Sequence, residues 1–225
     1  MAEIKAKIDW DTNLIQSWLA GYVKQAPFAI KQALNDVAFE ARDSIGKAAN
    51  QVFDKPTTFI TKGWRVTKKA EKTDLEAIIE PAPKREPYLR ANISGGARGV
   101  KRYEGAFKGI DKASVPGSQF FPTNFQKKNS YGNVSRSALS KIISSIQADE
   151  SGRNSYFIGK PKGGNRPHGV YRRMSQTIRP VFLTSTSALT YRPVYNIKDI
   201  GGKVVARRFE QHLRTRLERA IRTAR

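Results

Sequence analysis

Between Pro27 and Val52 the apolar residues recur in steps of three and four: Ile30, Leu34, Val37, Ala41, Ile45, Ala48 and Val52. That spacing keeps one face of an α-helix apolar. Pro27 suits a first helical turn and Pro56 cannot continue one, so the pattern predicts a long amphipathic helix ending near Asp54. A second helical pattern closes the chain from about Lys203 to Thr223. There Val205, Phe209, Leu213, Leu217, Ala220 and Ile221 fall within an arc of about 160°. Arg207, Arg208, Arg214, Arg219, Arg222 and Arg225 fall opposite, with Arg216 at the apolar edge.

The segments around these two helices are shorter. Residues 2–10 alternate apolar and charged side chains as a short edge strand does, and Asp11 or Thr12 can cap a helix running to about Lys24. Phe59, Trp64 and Val66, then Leu75, Ala77 and Ile79, predict two strands joined by a polar turn at 69–74. The tract PAPKREP (81–87) is a break. A Gly-Gly turn and a short helix from Val100 to Phe107 follow. Residues 112–134, rich in Pro, Asn, Gly and aromatics, read as an extended loop, and loops of that length are usually functional. Ser135 caps a helix over 136–148 with Leu139, Ile142, Ile143 and Ile146 on one side. The runs NSYFIGK and GVYRR read as strands flanking KPKGGNRPHG, and IRPVFLTS and YRPVYNI as another pair.

These elements define an α+β protein: a long N-terminal amphipathic helix and a C-terminal Arg-rich helix packed on a small antiparallel or mixed β-sheet, with long loops. The expected organisation is an N-terminal arm and short helix over 1–26, then one α+β domain over 27–225. No stretch approaches the ~20 apolar residues of a membrane span, and the N-terminus lacks the basic-then-apolar order of a signal peptide. A soluble protein without a membrane partner is expected. Cysteine is absent, which removes disulfides and thiolate metal sites.

Charge changes this picture. Residues 1–90 carry 15 Lys/Arg against 12 Asp/Glu, while residues 91–225 carry 26 against 7, so +19 of the +22 net charge lies in the later part. So basic a region repels itself and is best tolerated beside a polyanion or acidic neighbours. Two glycine-rich basic loops, SGGARGVKR (94–102) and KPKGGNRPHG (160–169), combine backbone N–H groups that can cradle anions with flanking cations. Each also reads simply as a turn with solvated charges. The candidate contacts to phosphate or an acidic partner are Arg98, Lys101, Arg102, Lys160, Lys162, Arg166, Arg172, Arg173, Arg207, Arg214, Arg219 and Arg222. Cations near a helix C-terminus also suit its macrodipole, the plainer role for those on the closing helix.

Catalytic chemistry finds little support in the residue types. His168 and His212 have no second ligand at metal-binding spacing, and no phosphate-loop, nucleophile-elbow or dinucleotide motif is present. Acidic residues beyond position 90 are scattered, whereas a metal-dependent nuclease needs converging carboxylates. A non-enzyme without cofactor or metal is expected, and no base-reading nucleic-acid module is recognisable.

The runs DKPTTFITKGWRVTKKAEKTDLEAII, PYLRANISGGARGVKRYEGAF and VPGSQFFPTNFQKKNSYGNVSRSALSKIISSI, with the later NSYFIGKPKGGNRPHGVYRR and IRPVFL…YRPVYNI, resemble a family of tailed-bacteriophage virion proteins. The resemblance covers roughly residues 28–222. More distantly, the chain is similar to the minor tail and tail-completion proteins typified by the Z protein of lambda-like phages. This implies a structural protein at the head–tail junction, in the neck or upper tail of the virion. It would form a homo-oligomeric ring that connects to neighbouring connector and tail proteins and surrounds the passage of the genomic DNA. The loop carrying Phe120, Phe121, Phe125 and Tyr131 would be an arm between subunits, ordered on assembly. A free, sequence-independent nucleic-acid-binding protein is the alternative from charge alone.

Overall fold

A computed structural model of the chain describes residues 25–111, 119–148, 155–163, 165–185, 187 and 189–223. The expected strand at 2–10 and the helix ending at Lys24 lie outside the described residues. The chain divides into two compact units, residues 1–89 with 193–225 and residues 90–192, where one domain was expected over 27–225. The physical reason is visible in the burial. Two separate apolar clusters form, one around Val37 and Phe209, the other around Phe107 and Phe182.

The first unit is built on helices α1 (Ala26–Val52) and α6 (Ile197–Thr223). Pro27 stands in the first turn of α1 and Ala29, Ala33, Val37, Ala41 and Ala49 are wholly buried. Ile30, Leu34 and Val37 pack with Val205 and Phe209, and the half-buried Leu213 and Leu217 join them. The helices run antiparallel. Arg216 Nε reaches Asp36 at 2.6 Å, while Arg208 and His212 meet Glu40 at 3.0 and 2.9 Å. The Arg208 guanidinium, then His212, hold the Glu40 carboxyl below its ordinary range against a smaller desolvation effect than that of Arg208. The stray arginine at the apolar edge therefore has an acid waiting on the facing helix.

A short helix α2 (Thr58–Thr61) and an antiparallel ribbon, β1 (Trp64–Lys68) with β2 (Ile78–Pro81), complete this unit. The side chain of Asn35 replaces a strand partner at the ribbon's turn: it donates to the Ala70 carbonyl at 3.1 Å and accepts from the Ala70 amide at 2.8 Å. Tyr195 packs edge-on against Trp64 and donates to the carbonyl of Ile45. Phe59, expected in the first strand, stands in α2. The division between units falls inside α3 (Glu86–Ser94), between Leu89 and Arg90.

The second unit holds a four-stranded antiparallel sheet in the order β4 (Phe120–Pro122), β7 (Ile178–Thr184), β6 (Gly169–Arg173), β5 (Tyr156–Gly159). Helices α4 (Arg102–Ile110) and α5 (Arg136–Gln147) supply Phe107, Ile142 and Ile146 to a cluster with Phe120, Val170, Val181 and Phe182. Ser135 caps α5 as expected, its hydroxyl accepting from the Ala138 amide at 3.2 Å. Such caps stabilise by ~1 kcal/mol. A two-residue pairing of β3 (Gly96–Ala97) with β8 (Thr190–Tyr191) closes the set. The expected pairing of the two late strands does not form. β7 pairs with β6 and β4, because its Phe182 and Val181 are needed in the core, and of the last run only Tyr191, with Thr190 before it, extends beside β3.

The fold is thus α+β with a long helix near each end of the described chain. Those helices pack on each other and on the ribbon's unit, while the larger sheet carries its own two shorter helices.

Candidate polyanion-binding surface

The register of the sheet sorts its side chains onto two faces. Tyr156, Ile158, Val170 and Phe182 are aligned on the core face. Phe157 faces Tyr171 across β5 and β6, and Arg173 and Ile178 are paired two residues further along, so these share the outer face. Their rings and charge stack there. Phe157 and Tyr171 lie nearly parallel with centroids 5.6 Å apart, and the Arg173 guanidinium sits 4.3 Å from the Phe157 centroid.

The described residues of the β5–β6 loop, 160–163 and 165–168, fold back over this face. The Tyr171 hydroxyl donates to the Pro167 carbonyl at 2.5 Å, and burial pushes that phenol's pKa upward. His168 places Nδ1 3.2 Å from Thr184 Oγ1 and Nε2 2.8 Å from Asp111 Oδ2, and its carbonyl accepts from the Thr184 amide at 3.0 Å. At Gly169 a Cβ would stand 2.2 Å from the Phe182 carbonyl oxygen, so only glycine lets the strands approach there. Gly163 turns the loop at φ +79.

Between the loop and the β6–β7 turn lies an open depression of about 620 Å³. Lys160, Lys162, Arg166 and Arg173 line it, with Gln176 and Thr177 as neutral polar groups and Phe157, Pro161, Met174 and Ile178 as apolar ones. Among the described residues, no carboxylate contributes. Lys160, Lys162 and Arg166 are exposed. Turn and cation cradle, posed as alternatives for this loop by its sequence, coexist.

The other glycine-rich loop uses its leading cation internally. Arg98 reaches Glu104 Oε1 at 2.6 Å and Oε2 at 2.8 Å, and its side chain is only 15% exposed. Glu104, itself buried, also accepts from the amides of Lys101 at 2.8 Å and Phe120 at 3.2 Å. Burial alone raises this carboxyl's pKa, but Arg98 and those amides outweigh it and the net shift is downward. Arg98 is thereby withdrawn from the candidate phosphate contacts, because its fork is filled by a carboxylate. Lys101 and Arg102 remain exposed at the start of α4.

Arg172 is exposed, its guanidinium 5.8 Å from the Tyr156 ring. Arg207, Arg214, Arg219 and Arg222 are exposed on α6, in the other unit, and Arg214 pairs with Glu210 one turn back at 2.5 Å. Among the aromatic residues of the expected inter-subunit arm, Phe120 is corrected outright. It is 1% exposed in β4, clasped by Phe107, and belongs to the core. Phe121, Phe125 and Tyr131 are exposed at 41%, 58% and 45%, and Arg179 lies 5.3 Å from the Phe125 ring. Residues 112–118 of that loop lie outside the described residues.

The Glu104 clamp has one local signal in the sequence, a glutamate three residues after Lys101 at a helix start. Phe157, Gln176 and Thr177 have no such local signal, because their convergence depends on strand register. Among the described residues, no group of three or more His, Cys, Asp or Glu side chains is placed to hold a metal ion, and no helix is long and apolar enough to cross a membrane. No protein-family model, curated protein or solved structure matches this chain.

Proposed function

We propose that this chain is a non-enzymatic structural protein of a tailed-phage virion, set in a ring at the head–tail junction where it completes or connects the tail around the DNA passage. The observation that carries the reading is the uncompensated charge of the second unit. Residues 90–192 contain 18 Lys/Arg against 4 Asp/Glu. Of those four acids, Glu104 is bound to Arg98 and Asp111 to His168, while Asp149 and Glu150 lie outside the described residues. Charge in such excess favours a neighbouring polyanion or acidic protein surface, and a neck ring offers both. The family resemblance over residues 28–222 supplies the particular setting. The exposed Phe121, Phe125 and Tyr131 supply apolar contact area for a neighbouring subunit.

Quantitative mass spectrometry of purified particles tests this. A fixed copy number matching a closed ring is expected, and absence of the chain from particles overturns the proposal. The second reading, a free sequence-independent nucleic-acid-binding protein, is favoured by the cationic depression standing on a single chain. It predicts tight duplex binding by the monomer at physiological salt and no incorporation into particles.

A further inference from the structure

We infer that the depression on the outer face of the four-stranded sheet is a phosphodiester-binding site that holds nucleic-acid backbone irrespective of base sequence. The inference rests on the proposed polyanion-facing role and assigns it to one place. Four cations converge on one concave surface with no acid among the described lining residues. Lys160, Lys162 and Arg166 have no carboxylate partner among the described residues. The arginines of α6 differ. Arg208, Arg214 and Arg216 are each already bound to Glu40, Glu210 or Asp36, so less of that helix's charge is free for phosphate.

The cations are also held ready. Tyr171, Thr184 and Asp111 anchor the loop through Pro167 and His168. Stacking on Phe157 orients the planar guanidinium of Arg173. A preorganised site loses less conformational entropy on binding than free surface lysines do. The lining explains the indifference to sequence. Phe157 is already engaged by Tyr171 and Arg173, and Gln176 and Thr177 are the lining's neutral polar side chains, so charge rather than base-edge pairing dominates. Pro161, Met174 and Ile178 provide apolar surface suited to sugar.

The test is fluorescence anisotropy on the full chain with a mixed-sequence duplex and an oligo-dT strand of equal length, repeated across salt concentrations. Each lost phosphate contact lowers the slope of log K against log salt by roughly 0.9 for a duplex and 0.7 for a single strand. The combined Lys160→Gln, Lys162→Gln and Arg166→Gln variant is expected to lose about 2–3 units of slope and at least ~10-fold in affinity at 0.1 M salt. The charge-matched Arg207→Gln, Arg214→Gln and Arg222→Gln variant is expected to lose less than about 1 unit. Preference for one probe shows whether the backbone is taken from a duplex or a lone strand. Equal losses in the two variants, an unchanged slope in the loop variant, or no binding of either probe by the unaltered chain overturns the site. Particle incorporation, measured separately, then still decides the virion proposal. Acetylation footprinting of the unaltered chain gives a check without substitutions: DNA should protect Lys160 and Lys162 but not Lys198 and Lys203, and the reverse pattern refutes the assignment.

Discussion

Replacing Glu104 with alanine removes a carboxylate that is 1% exposed and receives four hydrogen bonds, two from Arg98 and one each from the amides of Lys101 and Phe120. The Arg98 guanidinium, 15% exposed, would be left against the core without its counter-charge. Breaking a buried ion pair from one side costs about 3–5 kcal/mol, and the orphaned Phe120 amide pushes the loss toward the upper end. For a unit of this size, each kcal/mol lowers Tm by about 4–8 °C, so a fall of at least ~12 °C is expected. Glu104→Gln, which keeps an acceptor for the amides, should cost less.

The acid dependence has a definite sign. The folded-state pKa of Glu104 is depressed, so its contribution is fully present above the unfolded carboxyl value of ~4.3 and disappears as pH falls through the folded value. The stability gap between the unaltered chain and Glu104→Ala should therefore be constant from about pH 6 upward and narrow below about pH 4. Hydrogen exchange read on peptides from α4 and β7 follows the affected unit. Trp64 stands in β1 of the other unit, so its fluorescence serves as an internal control there. A cost below about 1 kcal/mol, the low end for an ordinary hydrogen bond, or a gap that widens on acidification, refutes the clamp.

Phe209→Asp with Leu217→Asp places charges in the stripe that packs on α1 and should destabilise the helix pair by at least ~3 kcal/mol, visible as an earlier tryptophan-monitored melt; an unchanged curve contradicts the packing. Gly169→Ala forces a methyl to within 2.2 Å of the Phe182 carbonyl and should cost about 1–3 kcal/mol through separation of β6 and β7, measured by urea unfolding; a neutral outcome would mean the strands part freely. Changing Arg207, Arg214 and Arg222 to Glu should leave the fold intact but reduce particle assembly. A normal infectious yield from that variant would mean these arginines are merely solvated.

The two long helices and the Ser135 cap were legible because their signals are local. Apolar residues three and four apart, a first-turn proline and a capping serine act within one element. The hairpin pairs β1–β2 and β5–β6 were legible too, but the partners of β7 were not. The run at 191–197 has β-prone residues, yet β7 is held by Phe182 and Val181 in the core and takes β4 as its other neighbour, so choice of partner is a tertiary matter. The split into two units was likewise hidden. The first unit joins α1 to a helix some 150 residues away, and sequence order does not reveal which apolar stripe meets which. At the candidate site the cations of 160–169 were evident by composition. What composition could not tell was which ones are spent. Arg98 and Lys160 both sit in glycine-rich basic loops, but Glu104 lies within reach of the first and, among the described residues, no carboxylate lines the depression of the second. Phe120 and Phe121 are adjacent in sequence, and strand alternation buries one and exposes the other.

A reconstruction of the intact particle at side-chain resolution tests the central claim most directly. The account predicts this chain in a closed ring at the head–tail junction, with Lys160, Lys162, Arg166 and Arg173 within hydrogen-bonding reach of DNA phosphates. A ring in which those four side chains face bulk solvent, or particles from which the chain is missing, would contradict it.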